Sequence, residues 1–164
     1  MECLGRTLHL VDIENLLCQP PRLVTGDRAV QVFDQYLETA NWRSGDSVVI
    51  ASNPKLMRRM AFQLTDFPCR MLCAWGESAA DQLLLGAVPN HVETRYARVA
   101  VGSGDHIFGA LINQLCGPKV QTLVVANPGS ISRLLYAGAD EVCHLGRPLV
   151  TTCHRSAERP LVAT

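Results

Sequence analysis

Short runs of apolar and β-branched residues recur along this chain, and the stretches between them carry apolar residues at helical spacing, an alternation that admits few folds. The runs are Thr7–Val11, Ser47–Ala51, Arg70–Ala74, Arg98–Val101 and Gln121–Ala126. Each is nearly continuous in apolar character, as expected of strands covered on both faces, and such strands belong in parallel sheets. Helical period marks Gly26–Thr39 through Val30, Phe33, Tyr36 and Leu37, and Pro54–Leu64 through Leu56, Met57, Met60 and Leu64. It recurs in Ser78–Val88 (Leu83, Leu84, Val88), Asp105–Leu115 (Phe108, Leu111, Ile112, Leu115) and Ser130–Ala137 (Ile131, Leu134, Leu135). Crossovers of this length join parallel strands in the right-handed sense, so the expected fold is an open, doubly wound α/β sheet. Its central parallel sheet would hold five or six strands flanked by helices on both faces, the sixth being Glu141–Leu145. One domain over residues 1–146 accounts for all of this; Arg147–Thr164, with Pro148 and Pro160, reads as a tail or edge segment, and Gln19-Pro20-Pro21 as a loop.

A chain of 164 residues with 48% hydrophobic content can build one buried core without staples. Lys plus Arg and Asp plus Glu both number 15, and this zero formal charge excludes a strongly basic nucleic-acid coat protein. Any nucleic-acid binding is therefore local. The seven cysteines, Cys3, Cys18, Cys69, Cys73, Cys116, Cys143 and Cys153, are odd in number and form neither a disulfide framework nor a CxxC pair. They read as small buried hydrophobes in a reducing compartment. No uncharged apolar run reaches the roughly 18 residues that span a bilayer, and the opening MECLGRTLHLVD is too short and too charged for a signal peptide. A soluble cytoplasmic protein is expected, with no membrane partner.

In an open α/β sheet the ligand crevice lies beyond the carboxyl ends of the strands. Strand one ends in Val11-Asp12-Ile13-Glu14-Asn15, Gly76-Glu77-Ser78-Ala79-Ala80-Asp81 follows strand three, and strand four runs into Gly102-Ser103-Gly104-Asp105. Asp12, Asp81 and Asp105 should converge there. Clustered carboxylates repel, and a divalent cation such as Mg²⁺ or Mn²⁺, which takes hard oxygen ligands, relieves the repulsion. Capping accounts separately for Asp105 and a helix dipole for Asp81, but neither predicts Asp12 directly after a buried strand. Glu14 would face the same way as Asp12 only if the strand continued, Glu77 suits a surface ion pair, and His106 beside Asp105 suits a structural role or a phosphate contact.

The Val11–Asn15 stretch, Asp81 at the start of a helix, Ser103-Gly104-Asp105-His106-Ile107-Phe108 and Ala137-Gly138-Ala139-Asp140-Glu141-Val142 together resemble an NYN domain, a branch of the PIN-like nuclease superfamily. The resemblance spans roughly residues 5–146 and keeps the motif order. It implies a PIN-like, Rossmann-like fold and a ribonuclease that uses Mg²⁺ or Mn²⁺ held by Asp12, Asp81 and Asp105, with Asn15 beside them orienting a water or the scissile phosphate. Relatives often carry a second acid where Ile107 stands and a basic residue where Ser78 stands, so one possible ligand is missing here.

RNA would be gripped by Lys55, Arg58 and Arg59, at i, i+3 and i+4 of one helix, with Arg43 and Arg133 as extensions; the same residues also make an ordinary solvated helix face. Ser103 between two glycines and the Asn127–Ser130 turn, leading into a helix N-terminus, are placed to meet a phosphate. Trp75 serves either as a base-stacking platform or as a core residue. Two other functions compete: a PIN-like RNA- or protein-binding module without turnover, and a haloacid dehalogenase-type phosphotransferase, which wants Asp-x-Asp where this chain has Asp12-Ile13-Glu14. Periodicity alone leaves open which helix faces serve the core and which a homo-oligomer.

Overall fold

A strand buried at every position needs cover on both faces, and β1 (Thr7–Asp12) is such a strand. It lies inside a sheet of six parallel strands in the order β3-β2-β1-β4-β5-β6, formed with β2 (Ser47–Ser52), β3 (Cys69–Cys73), β4 (Arg98–Gly102), β5 (Gln121–Ala126) and β6 (Glu141–His144). The computed structural model describes residues 5–115, 117 and 119–147. The expected tail beyond residue 147 lies outside them, as do Cys3, Cys116 and Cys153.

Helices α1 (Ile13–Leu17), α2 (Gly26–Thr39) and α3 (Pro54–Ala61) cover one face, and α4 (Ala79–Gly86), α5 (Gly109–Leu115) and α6 (Arg133–Gly138) the other. The α2 stripe is Ala29, Val32, Phe33, Tyr36 and Leu37, a helical repeat that meets Val11, Ile50, Ala100, Leu123 and Val125 from the sheet. Thr25 starts that helix by accepting the Arg28 amide at 3.2 Å. The opposite layer packs Leu84, Phe108, Ile112 and Leu135 on Leu8, Leu10, Val99, Val101 and Val124. Each such fully buried side chain contributes roughly 1.5–3 kcal/mol relative to exposure. The period of two along β1 decides the rest: Leu8, Leu10 and Asp12 share the α4 side, and His9 and Val11 the α2 side.

Several expectations need correction. β3 is an edge strand with Arg70, Met71 and Cys73 exposed, so only one of its flanks is paired and it is not covered like the others. Gln19–Pro21 leads into a 3-10 turn over Pro21–Leu23, and a short helix, α1, follows β1 directly. The 105–115 segment begins as a 3-10 turn, His106–Phe108, and the last helix starts at Arg133 rather than Ser130, leaving Leu134 57% exposed. None of the described cysteines is buried: Cys18, which ends α1 in a left-handed conformation, and Cys73 on the edge strand are exposed, and Cys69 and Cys143 are partly so. No helix among the described residues is long and apolar enough to cross a membrane.

Candidate active site

The winding direction of the sheet reverses between β1 and β4, which opens a crevice at their carboxyl ends. Asp12 is the last residue of β1, and the pleat turns it toward the α4 side, where Asp81 occupies the first turn of α4. The chain reaches α4 through two residues of positive φ, Gly76 at 117° and Ser78 at 56°. Both aspartates are 6% exposed. The Asp12 carboxyl is pushed up to about 8, first by burial and then by its hydrogen bond to and repulsion from Asp81. Asp81 is also raised, by burial foremost, with Asp105 and Glu14 adding repulsion. No donor among the described residues reaches Asp81 Oδ1.

The other two acids each have one oxygen bonded elsewhere. Asp105 Oδ1 accepts the Ile107 amide at 3.0 Å and lies 2.9 Å from His106 Nδ1. Glu14 Oε1 accepts from the Asn53 amide, from Asn53 Nδ2 at 3.1 Å and from Ser52 Oγ at 3.2 Å, which binds α1 to the end of β2. Among the described residues no group of three or more His, Cys, Asp or Glu side chains gathers to hold a metal ion. The expected three-carboxylate cluster is thus a buried pair, with two acids acting on it through space. Capping does account for part of Asp12, contrary to expectation: its Oδ1 accepts the Asn15 amide at 3.2 Å and starts α1. Asp81 does lie in the first turn of α4, where the helix dipole favours an acid, and Ser78, the cap residue, makes no side-chain cap bond.

The pair still suits a hard divalent cation. Mg²⁺ keeps most of its waters and is commonly held through one or two carboxylates, and an undonated buried oxygen on Asp81 beside a raised Asp12 is the donor set that a proton or a cation would satisfy.

The neighbouring residues divide sharply. Asn15 Oδ1 accepts the Gly104 amide at 2.8 Å, so that atom positions the β4 loop and is not turned to a ligand. Ser103 is fully buried and its Oγ accepts the Asp105 amide at 3.2 Å, which removes it from any substrate surface. Asn127 Nδ2 donates to Leu16 O at 2.6 Å and lies 3.1 Å from Cys18 Sγ, and Ser130 Oγ donates to Asn127 O at 2.9 Å. The Ser130 and Ser132 amides bond to Asn127 O and Gly104 O, so these two amides are turned to the protein. Lys55, Arg58 and Arg59 are all on the exposed side of α3, but Arg59 donates to Pro21 O at 3.2 Å and Val24 O at 2.8 Å. Arg133 is exposed at the carboxyl side of β5, whereas Arg43 precedes β2 and therefore sits at the opposite end of the sheet. Glu77 is exposed, and Trp75 is 65% exposed with Lys55 Nζ 5.9 Å from its ring centre.

Sequence reasoning passed over Ser52 and Asn53. Their signal was available: Asn53-Pro54 after a strand is a helix-start pattern, and Asn53 Oδ1 does accept the Leu56 amide at 3.0 Å. Compared with known proteins, the sequence matches no family model and no curated protein. The fold is a Rossmann-like α/β domain on a six-stranded parallel sheet.

Proposed function

We propose that this domain is a divalent-metal-dependent ribonuclease of the PIN-like, NYN type, with Mg²⁺ or Mn²⁺ held by Asp12 and Asp81. The observation that carries the reading is the buried Asp12–Asp81 pair at the sheet's switch point, with Asp81 Oδ1 lacking any donor. Two carboxylates desolvated together are costly to keep without a function that uses their charge. The motif order that resembles NYN domains supplies the reaction class.

A cation bound there would supply Lewis acidity, the chemistry that lowers the pKa of a water and offsets charge on a phosphate. Asp12 and Asp81 would ligate it. Asp105, at 34% side-chain exposure, repels Asp81 through space and would aid the pair in drawing a cation in. Asn15 fixes the distance between the β1 and β4 ends by holding the Gly104 amide. Nothing in this scheme needs a nucleophilic side chain.

A non-cleaving RNA-binding module is the second reading. It is favoured by the lack, among the described residues, of a third acid gathered with the pair, Asp105 Oδ1 being engaged by the Ile107 amide and His106. Incubation with labelled RNA separates the two. The nuclease reading expects cleavage that requires Mg²⁺ or Mn²⁺, stops in EDTA and is lost in Asp81→Asn while RNA affinity persists. Binding without cleavage across both ions and a broad RNA set overturns it.

A further inference from the structure

An indole with two thirds of its surface in water is unusual for so large an apolar group, and Trp75 is 65% exposed. Its position ties it to the carboxylate pair by a short chain of contacts. The amide of Ala74, the preceding residue, donates to Ser52 O at 3.4 Å. Ser52 Oγ in turn donates to Glu14 Oε1 at 3.2 Å, and Glu14 acts through space on both Asp12 and Asp81. Trp75 thus stands on the carboxyl edge of the sheet, on the β2–β3 side of the crevice. Lys55 Nζ lies 5.9 Å from the ring centre, and Arg58 follows it by one turn on the exposed side of α3.

We propose that Trp75 is a nucleobase-stacking platform beside the Asp12–Asp81 crevice, with Lys55 next to its ring as a phosphate contact for the same strand. This rests on the ribonuclease reading above and adds the residues that position the strand. An exposed aromatic face next to a cation is the pairing by which proteins hold single strands, since every base offers a π-face and every step a phosphate. A duplex hides its base faces in the stack and gives the ring nothing to meet. Unlike Arg59, which is bonded to Pro21 O and Val24 O, Lys55 has its ammonium directed to the ring and to solvent.

The test measures binding of a short labelled single-stranded RNA, and of the same sequence as a duplex, to the full chain in EDTA by fluorescence anisotropy. Loss of one base stack in Trp75→Ala should weaken single-strand affinity by about tenfold or more, Trp75→Phe should restore most of it, and duplex binding should be weak and unaffected. Tryptophan emission of the wild type should fall on binding, and that change should vanish in Trp75→Phe, whose remaining indole, Trp42, packs against Phe67 at 5.2 Å. Equal single-strand affinity in wild type and Trp75→Ala, with unchanged circular dichroism, overturns the inference, as does failure of any RNA to bind. The latter would turn attention to a protein surface at Trp75. Stacking without cleavage supports the inference while refuting the nuclease reading; metal-dependent cleavage indifferent to Trp75 does the reverse.

Discussion

Asn15 Oδ1 accepts the backbone amide of Gly104 at 2.8 Å, across 89 positions of sequence. Through this one bond the helix after β1 sets the position of the loop after β4, and the two strand ends that frame the crevice move together. Gly104 has no room for a side chain, because a Cβ there would lie 2.4 Å from Ser130 O.

Removing either half of that contact should destabilise the domain. Asn15→Ala leaves the buried Gly104 amide without an acceptor, at a cost of about 1–3 kcal/mol. Gly104→Ala forces backbone apart from backbone and should cost at least as much. Urea denaturation measures both; a loss below ~0.5 kcal/mol in Asn15→Ala would show that the bond does not hold the crevice.

Stability should fall as pH rises from about 6.5 to about 8 when divalent ions are absent. Asp12, raised from 3.8 to about 8, binds more protons folded than unfolded in that interval, so folding weakens as the proton leaves. His9 works in the other direction and lower down. Its pKa is lowered from 6.5 to about 4, chiefly by burial, so its contribution is complete above 6.5 and is lost as pH falls toward 4. Above 6.5 the acid pair is therefore left to dominate, with a slope of at most about 1.4 kcal/mol per pH unit per proton. Urea midpoints in EDTA across this range should decline in wild type and decline less in Asp12→Asn, where Asp81 alone remains raised. Added Mn²⁺ should level the wild-type curve by binding the folded state.

The three basic residues of α3 should behave differently from one another. Arg59→Ala removes two hydrogen bonds to the chain before α2 and should lower the melting temperature with little effect on the salt dependence of RNA binding. Lys55→Ala and Arg58→Ala should instead flatten the salt slope of single-strand binding by about 0.7 each and leave stability within ~0.5 kcal/mol. Titrations at several salt concentrations check this; an unchanged slope in the double variant assigns the face to solvent.

Much of this molecule is written in local pattern. The apolar runs specify five parallel strands and allow the sixth, Phe33, Tyr36 and Leu37 mark the buried side of α2 although Val30 is only partly buried and Ala29 and Val32 complete the stripe, and the alternation Leu8, Leu10, Asp12 already commits Asp12 to one side of the sheet. Such features depend on neighbours within two turns or a few strand positions, so they are legible without knowing the fold.

The composition of the site is not legible in that way. Strand order and helix placement bring Asp81 onto Asp12 across a separation of 69 positions, while Asp105, equally acidic and equally near a strand end, turns to the Ile107 amide two residues away. Arg59 and Arg58 are adjacent in sequence, yet one is bonded to the carbonyls of Pro21 and Val24 and the other faces solvent. β3 carries the same apolar signature as β1 but lies at the sheet edge, where its exposed side chains and the indole of Trp75 meet water. In each case a polar or aromatic group takes the partner that the assembled layers put within hydrogen-bond range, and that competition is decided only when distant segments meet.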